Sequence, residues 1–245
     1  MQSVTDLKTN VCVVDGVEPL LAELQDRVDL HCAGTGGSGR VDLESFVYRI
    51  FQRAYGARLT EFYPSLTAFS TDGRIRGVVG HRDGRAAALF AEQYLDAPAE
   101  SVLTNRFGES VDRNRLVEVG NLAFDHRGDA RWLIAAMTVL LYSAGYRWVL
   151  FTAVKPLFNA FRRLGLRPIA VAAADPARLC DGGVCWGSYY AAGPLVCGGD
   201  IEAGFRKLTA HVSSRQPQLQ ALLREAWVVG ARLRRPALPV TGATA

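Results

Sequence analysis

A carboxylate inside an apolar run is the residue around which chemistry can be built in this chain. Residues 116–124 read LVEVGNLAF, rich in the Val, Leu and Phe of a buried strand. Glu118 interrupts them, and a carboxylate on an apolar strand face is costly unless it is paired or used. Alternation puts Leu116, Leu122 and, barring a bulge, Gly120 on its face. A glycine in mid-strand marks a bulge or a close backbone approach, and the polar Asn121 follows. Two readings stand side by side. In one, Glu118 pairs with a buried arginine and Asn121 closes a local hydrogen bond. In the other, Glu118 is a general base, and a bulge at Gly120 and Asn121 exposes N–H groups that polarise a carbonyl.

The next residues fit the second reading. Asp125, His126, Arg127, Gly128 and Asp129 form a polar break. From Ala130 an apolar stripe recurs at helical spacing through Leu133, Ala136, Met137, Leu140 and Leu141. Gly128 falls where the helix begins, with Asp129 available as its cap. A helix start with free N–H groups, flanked by Arg127 and Arg131, is an anion site, and a pyrophosphate is the obvious occupant.

The surrounding elements must position this strand–turn–helix unit. Residues 11–16 read as a strand, 19–28 as a helix and the glycine-rich 33–40 as a flexible linker. A helix capped at Asp42 or Ser45 presents Phe46, Val47, Ile50, Phe51, Ala54 and Tyr55 on one face and ends at Gly56. Strands over 65–71 and 74–82 flank Asp72-Gly73, a strong hairpin signal. After a turn at Asp83-Gly84, residues 86–95 read as a further strand with Glu92 and Tyr94 on one face. A short surface helix is expected over 100–108, a strand over 147–154 and a helix over 155–166 with Pro156 in its first turn. Strands are expected near 168–172 and 184–192, a short helix in between, and helices over 201–213 and 216–234. His81, near a strand end, is a candidate base or acceptor ligand, beside the plainer reading of a solvated histidine. Trp186, Tyr189 and Tyr190 are candidates to line an acceptor pocket, and core packing explains them equally well.

In combination these segments resemble known families. EVGNLA (118–123), GDARWLI (128–134) and FRRLGL (161–166) are similar to the Gcn5-related N-acetyltransferase fold. LFAEQYLDAPAE (89–100), VEVGNLA (117–123), FRRLGL and WGSYYAAGPLVCGGD (186–200) resemble the thermostable hemolysin family, whose fold is akin to that of acyl-homoserine-lactone synthases. The resemblance spans residues 45–205. It implies an α/β (α+β) fold with a mixed, mostly antiparallel sheet splayed at a bulged strand and flanked by helices. It divides the chain into an extension and linker (1–40), a core (41–205), and C-terminal helices with a tail (206–245). It implies a cofactor site at Leu122, Phe124, Arg127, Gly128, Asp129, Ala130, Arg131 and Asn159. Catalysis falls to Glu118, Gly120 and Asn121, and the acceptor to His81, Glu92, Tyr94, Trp186, Tyr189 and Tyr190. Where the acetyltransferases commonly place an acidic tyrosine this chain has Phe161, so Tyr189, Tyr190 or a water protonates the thiolate, or it leaves unassisted.

Composition bounds the partners. Of 245 residues 49% are hydrophobic, ample for a core, and 28 basic against 24 acidic residues give +4. That excess suits an anionic donor and is too small to argue for nucleic acid. The five cysteines form no CxxC pair, so neither a zinc site nor a disulfide framework is indicated. The opening MQSVTDLKTN lacks the charged-then-apolar pattern of a leader. The apolar run from Trp132 to Tyr146 is too short to span a bilayer. A cytoplasmic N-acyltransferase of biosynthesis is therefore expected, moving an acyl group from acyl-CoA or an acyl carrier protein to a small-molecule amine without a metal. A homodimer is an open arrangement. The alternatives are an aminoacyl-tRNA donor, or a membrane-lytic protein acting through the basic amphipathic stretch 216–235.

Overall fold

The computed structural model describes residues 28–85, 88–126, 129–210 and 217–234. The strand expected at 11–16, the helix at 19–28 (except Val28) and the C-terminal tail lie outside them. Among the described residues seven strands form one sheet: β1 Val28–Ala33, β2 Ser65–Thr71, β3 Arg74–Asp83, β4 Leu116–Phe124, β5 Trp148–Ala153, β6 Ile169–Ala173 and β7 Leu195–Asp200. Their spatial order is β1-β2-β3-β4-β5-β7-β6, and only β4 and β5 run parallel. Among the described residues six helices flank the sheet: α1 Arg40–Tyr55, α2 Ala99–Phe107, α3 Asp129–Ser143, α4 Lys155–Arg163, α5 Ile201–Thr209 and α6 Pro217–Leu233.

Local chemistry explains much of this. The β2–β3 hairpin turns at Asp72 and Gly73, with φ of 52° and 72°, the left-handed pair that a two-residue hairpin loop demands. The glycine-rich segment read as a linker is a set of tight turns, with Gly37 N–H donating to Gly34 O at 2.9 Å. Gly39, at φ 74°, opens α1, so the helix begins before the Asp42 or Ser45 expected to cap it. Gly56, at φ 68°, closes it as expected.

Alternation along the strands sorts the core to two sides. Leu66, Ala68, Val78 and Ala123 pack under α1, while Leu116, Trp148, Leu150 and Val196 pack with α2 and the 89–95 turn. On the opposite side Phe69, Val79 and Val117 meet α3, α5 and α6. The apolar positions Leu222, Ala226 and Val229 of α6 are buried against α3, and Ser143 Oγ donates to Trp227 O at 2.8 Å. The stretch weighed as a membrane-lytic surface therefore spends its apolar face on the core. Among the described residues no helix is long and apolar enough to cross a membrane.

Two expected strands are corrected. Residues 90–94 form a 3-10 turn, because the Leu89, Phe90 and Ala91 N–H groups donate to carboxylates instead of a neighbouring strand. Residues 184–192 form two single turns of 3-10 helix. Gly183 and Gly187 there take φ of 76° and 56°, and Ser188 N–H and Arg58 N–H bond across to Tyr55 O and Cys185 O at 2.8 and 2.7 Å. Strands β1 and β7, which the sequence pattern did not single out, complete the sheet.

Candidate active site

Strand β4 carries the bulge. Val78 pairs with Ala123 and Gly80 with Gly120, so β4 holds one more residue than β3 between these pairs. Asn121 absorbs the extra residue in a left-handed conformation, φ 48°. The bulge reverses the expected facing of Leu122, which packs with Val119 on the α3 side. Leu116, Glu118 and Gly120 keep the other side.

Beyond the bulge β4 loses its second neighbour. Pairing with β5 stops at Val119–Phe151, while β4 runs on to Phe124. The two strands splay, and a cleft of about 1910 Å³ passes between them. On the α3 side it is lined by Val79, Val119, Leu133, Met137, Leu141 and Val149. On the α1 side Phe51, Tyr55, Phe62, Tyr63, Trp186 and Tyr189 line it. One mouth carries exposed cations: Arg131 from α3, Lys155, Arg162 and Arg163 from α4, and Arg167 and Lys207 beyond.

Glu118 is fully buried and is absent from the cleft wall. Its carboxylate accepts from Phe90 N–H at 2.8 Å and Ala91 N–H at 2.6 Å, and Tyr63 stands close enough to act on its acidity. Burial raises its pKa, against the pull of those N–H groups, Arg82 and Tyr63. Tyr63 is the residue the sequence reading missed. Its ring lies over paired glycines: a Cβ on Gly120 would stand 2.6 Å from Tyr63 Cζ, and one on Gly80 2.7 Å from Tyr63 Cβ. Asn121 Oδ1 accepts from Tyr63 N–H at 2.8 Å, so the bulge and the tyrosine fix each other. Arg82, across from Glu118 on β3, sits 5.0 Å from the ring centroid, a cation–π contact. Glycines inside the strands at 80 and 120 were the signal available in the sequence, and by themselves they do not say which residue covers them.

The other expected site residues divide. Leu122, Phe124, Ala130, Arg131 and Asn159 line the cleft, as do Trp186 and Tyr189. Arg127 and Gly128 lie outside the described residues. Asp129 is spent on Arg76, 3.1 Å away. Tyr189 donates to Thr152 Oγ1 at 3.3 Å, and Trp186 packs on Phe90 and Tyr189 at centroid distances of 5.8 and 5.4 Å. Tyr190 and Tyr94 turn to each other, hydroxyl to hydroxyl at 2.5 Å, behind the cleft wall. Phe161 stacks on Phe151 at 4.9 Å and brings no proton donor.

Two residues proposed for the acceptor stand elsewhere. His81 pairs with Val119 across the strands, which puts it on the sheet side away from Glu118. Burial there lowers its pKa to about 4, with Asp83 pulling the other way. Glu92 is a strut: it accepts from Leu89 and Ala99 N–H groups at 2.7 and 2.9 Å and binds Arg113 at 2.6 Å. Burial opposes its ionisation, yet Arg113 and the N–H groups outweigh it and hold the carboxyl at about 2. Among the described residues no three His, Cys, Asp or Glu side chains gather to hold a metal ion.

The open, mostly antiparallel sheet with its flanking helices is a fold shared with solved structures, an acyl-homoserine lactone synthase and an N-acyl amino acid synthase among them. TofI in its apo form superposes with a TM-score of 0.52 at 17% identity, over 79% of this chain and 99% of TofI. BjaI, a CoA-dependent acyl-homoserine lactone synthase solved with MTA, gives 0.51 at 12%, over 81% and 99%. FeeM, an N-acyl amino acid synthase from uncultured soil microbes, gives 0.50 at 12%, over 74% and 94%. At such identities the likeness is one of fold. The chain belongs to the thermostable hemolysin family, which it matches over residues 34–205. No curated protein matches it.

Proposed function

We propose that this protein is an N-acyltransferase that moves an acyl group from a phosphopantetheine thioester, on CoA or a carrier protein, to the amine of a small molecule. The observation that carries the reading is the splay of β4 from β5 past Val119–Phe151, which opens a cleft walled from both sides of the sheet. The β5-facing backbone edge of β4 borders that cleft in place of a paired strand. Such fixed N–H dipoles stabilise charge that develops on a thioester oxygen, and holding donor and acceptor together supplies much of the remaining acceleration.

The two ends of the cleft suit two reactants. The mouth of Arg131, Lys155, Arg162, Arg163, Arg167 and Lys207 fits the phosphates of CoA or of a carrier's phosphopantetheine. The apolar wall of Val79, Leu133, Met137 and Leu141 fits an acyl chain. The aromatic end, with Tyr55, Trp186 and Tyr189, receives the acceptor. BjaI, a CoA-dependent acyl-homoserine lactone synthase, and FeeM, an N-acyl amino acid synthase, support the same pairing of thioester with amine. The bulged, splayed strand supports a place among Gcn5-related N-acetyltransferase folds.

Calorimetry with CoA tests the donor end. Arg131→Ala together with Arg162→Ala should weaken binding by about 0.5–1 kcal/mol for each exposed charge, or about 5- to 30-fold in all. Unchanged affinity in the double variant would remove the donor site from this mouth.

A further inference from the structure

The geometry points to Tyr63 as the group that takes the acceptor's proton, with Glu118 behind it as the proton's destination. This deepens the acyl-transfer reading and rests on it. Glu118 is fully buried, sealed from the cleft by the 90–91 backbone and the tyrosine. Tyr63 lines the cleft beside Gly120 and Asn121. Tyr63 and Glu118 each shift the other's acidity, and an added Cβ on Gly120, which shares a strand face with Glu118, would stand 2.8 Å from Tyr63 Oη. That places the phenol oxygen directly on the bulge. The slot is built for this ring: Gly80 and Gly120 leave its space, Asn121 Oδ1 holds its backbone N–H and Arg82 lies 5.0 Å from its centroid. A packing role needs the ring. Only proton transfer needs a hydroxyl beside a buried carboxylate.

The transfer conserves atoms and charge. The acceptor ammonium gives a proton to Tyr63 Oη as the phenol proton passes to a Glu118 oxygen, leaving a neutral amine and a protonated Glu118. The amine nitrogen then bonds to the acyl carbon while the carbonyl π pair moves onto oxygen. As that pair returns, the C–S bond breaks and the sulfur keeps its electrons. The thiolate takes a second proton from nitrogen, giving amide and thiol. Glu118 releases its proton to solvent through Tyr63. Burial first, then the Glu118 charge, keeps the Tyr63 phenol well above its ordinary pKa, so it relays a proton without standing as a phenolate. Arg82 from β3 and Tyr94 from the 90–94 turn are the other titratable groups acting on this pair.

Tyr63→Phe keeps the ring in its glycine slot and deletes only the hydroxyl. The probe is octanoyl-CoA with water as the acceptor, read as loss of the thioester from pH 5 to 9. Wild type should rise with pH through one ionisation to a plateau. Tyr63→Phe should fall about 10²- to 10³-fold, lose that ionisation, and remain folded with its CoA affinity kept. Rates within threefold of wild type overturn the proposal. So does a lowered plateau with the ionisation unmoved, which would make Tyr63 a positioning residue. A wild type that cleaves the thioester of neither octanoyl-CoA nor an octanoyl carrier protein, with water or amino acids as acceptors, removes the acyl-transfer reading itself, and the relay with it.

Discussion

Glu92 and Glu118 both accept hydrogen bonds from the backbone of residues 89–91, yet their surroundings push their acidities in opposite directions. Glu92 has Arg113 beside it and is held at about 2. Glu118 is bound by neutral donors, feels Arg82 only through its charge, and burial raises its pKa. Both carboxylates pin the same turn. The difference is that a cation at hydrogen-bonding distance fixes a carboxylate in its ionised form, whereas neutral donors in a dry site leave it able to take up a proton. On the relay proposed above, the ion pair is a strut and the buried carboxylate beside the tyrosine is a proton store.

The sharpest way to break this comparison is Glu118→Gln. Its turnover per folded molecule should fall about 10²- to 10⁴-fold. Its stability should drop by about 1–3 kcal/mol, since the amide NH₂ opposes a backbone N–H that Glu118 now satisfies. Single-turnover rates and thermal melts on the same variant check both parts, and near-normal turnover would make both carboxylates struts. Next in size, Gly120→Ala drives a methyl into Tyr63. It should cost about 1–3 kcal/mol by overpacking and lower turnover as the ring leaves its slot, measurable in urea melts and octanoyl-CoA turnover.

On the Glu92 side the effect should be on stability alone. Arg113→Met strips the cation from Glu92 and Glu100, both within 2.6 Å of it. It should cost about 1–3 kcal/mol, less than the loss of a fully buried pair because these groups keep contact with water. Turnover of the folded fraction should stay near wild type. The pH dependence has a worked sign. Glu92's carboxyl is depressed from 4.5 to about 2, so its stabilisation is present above 4.5 and lost as pH falls toward 2. Glu118 is shifted upward, so its contribution is full at low pH and lost as pH rises through the raised value. Acid melts of Glu92→Gln should lack the wild-type loss between 4.5 and 2, and Glu118→Gln should retain it. Smallest of all, Phe161→Tyr adds a hydroxyl to a ring stacked on Phe151 and should change turnover less than tenfold, since Phe161 holds no place in the proton path.

Much of the architecture was legible in short stretches. The Asp72-Gly73 hairpin, the Gly56 stop of α1, the apolar stripe of α3 and the bulge at Gly120 each follow from neighbouring residues. The two mistaken strands, at 86–95 and 184–192, were apolar and aromatic enough for β structure. Their backbone donors and acceptors found partners far along the chain: Glu118 for Phe90 and Ala91, and Tyr55 for Ser188. No local pattern reports that. Within the site, Glu118, Gly120, Asn121 and Arg131 could be read from their types and spacing. Tyr63 could not, because it lies in a loop and owes its role to landing on a glycine pair.

The sequence by itself determined which segments are strands and helices where periodicity was long and turn residues were strong, because those preferences act between residues a few positions apart. It also marked Glu118 as out of place, since the cost of an apolar-face carboxylate does not depend on the rest of the fold. Tertiary structure decided what that carboxylate touches. It turned Leu122 to the α3 side, put His81 on the face away from Glu118, gave Glu92 to Arg113, and brought Tyr63 to Asn121 across 58 residues. Register, a one-residue bulge and the space above two glycines exist only once distant strands have paired, and those are what separate a buried charge from a proton relay.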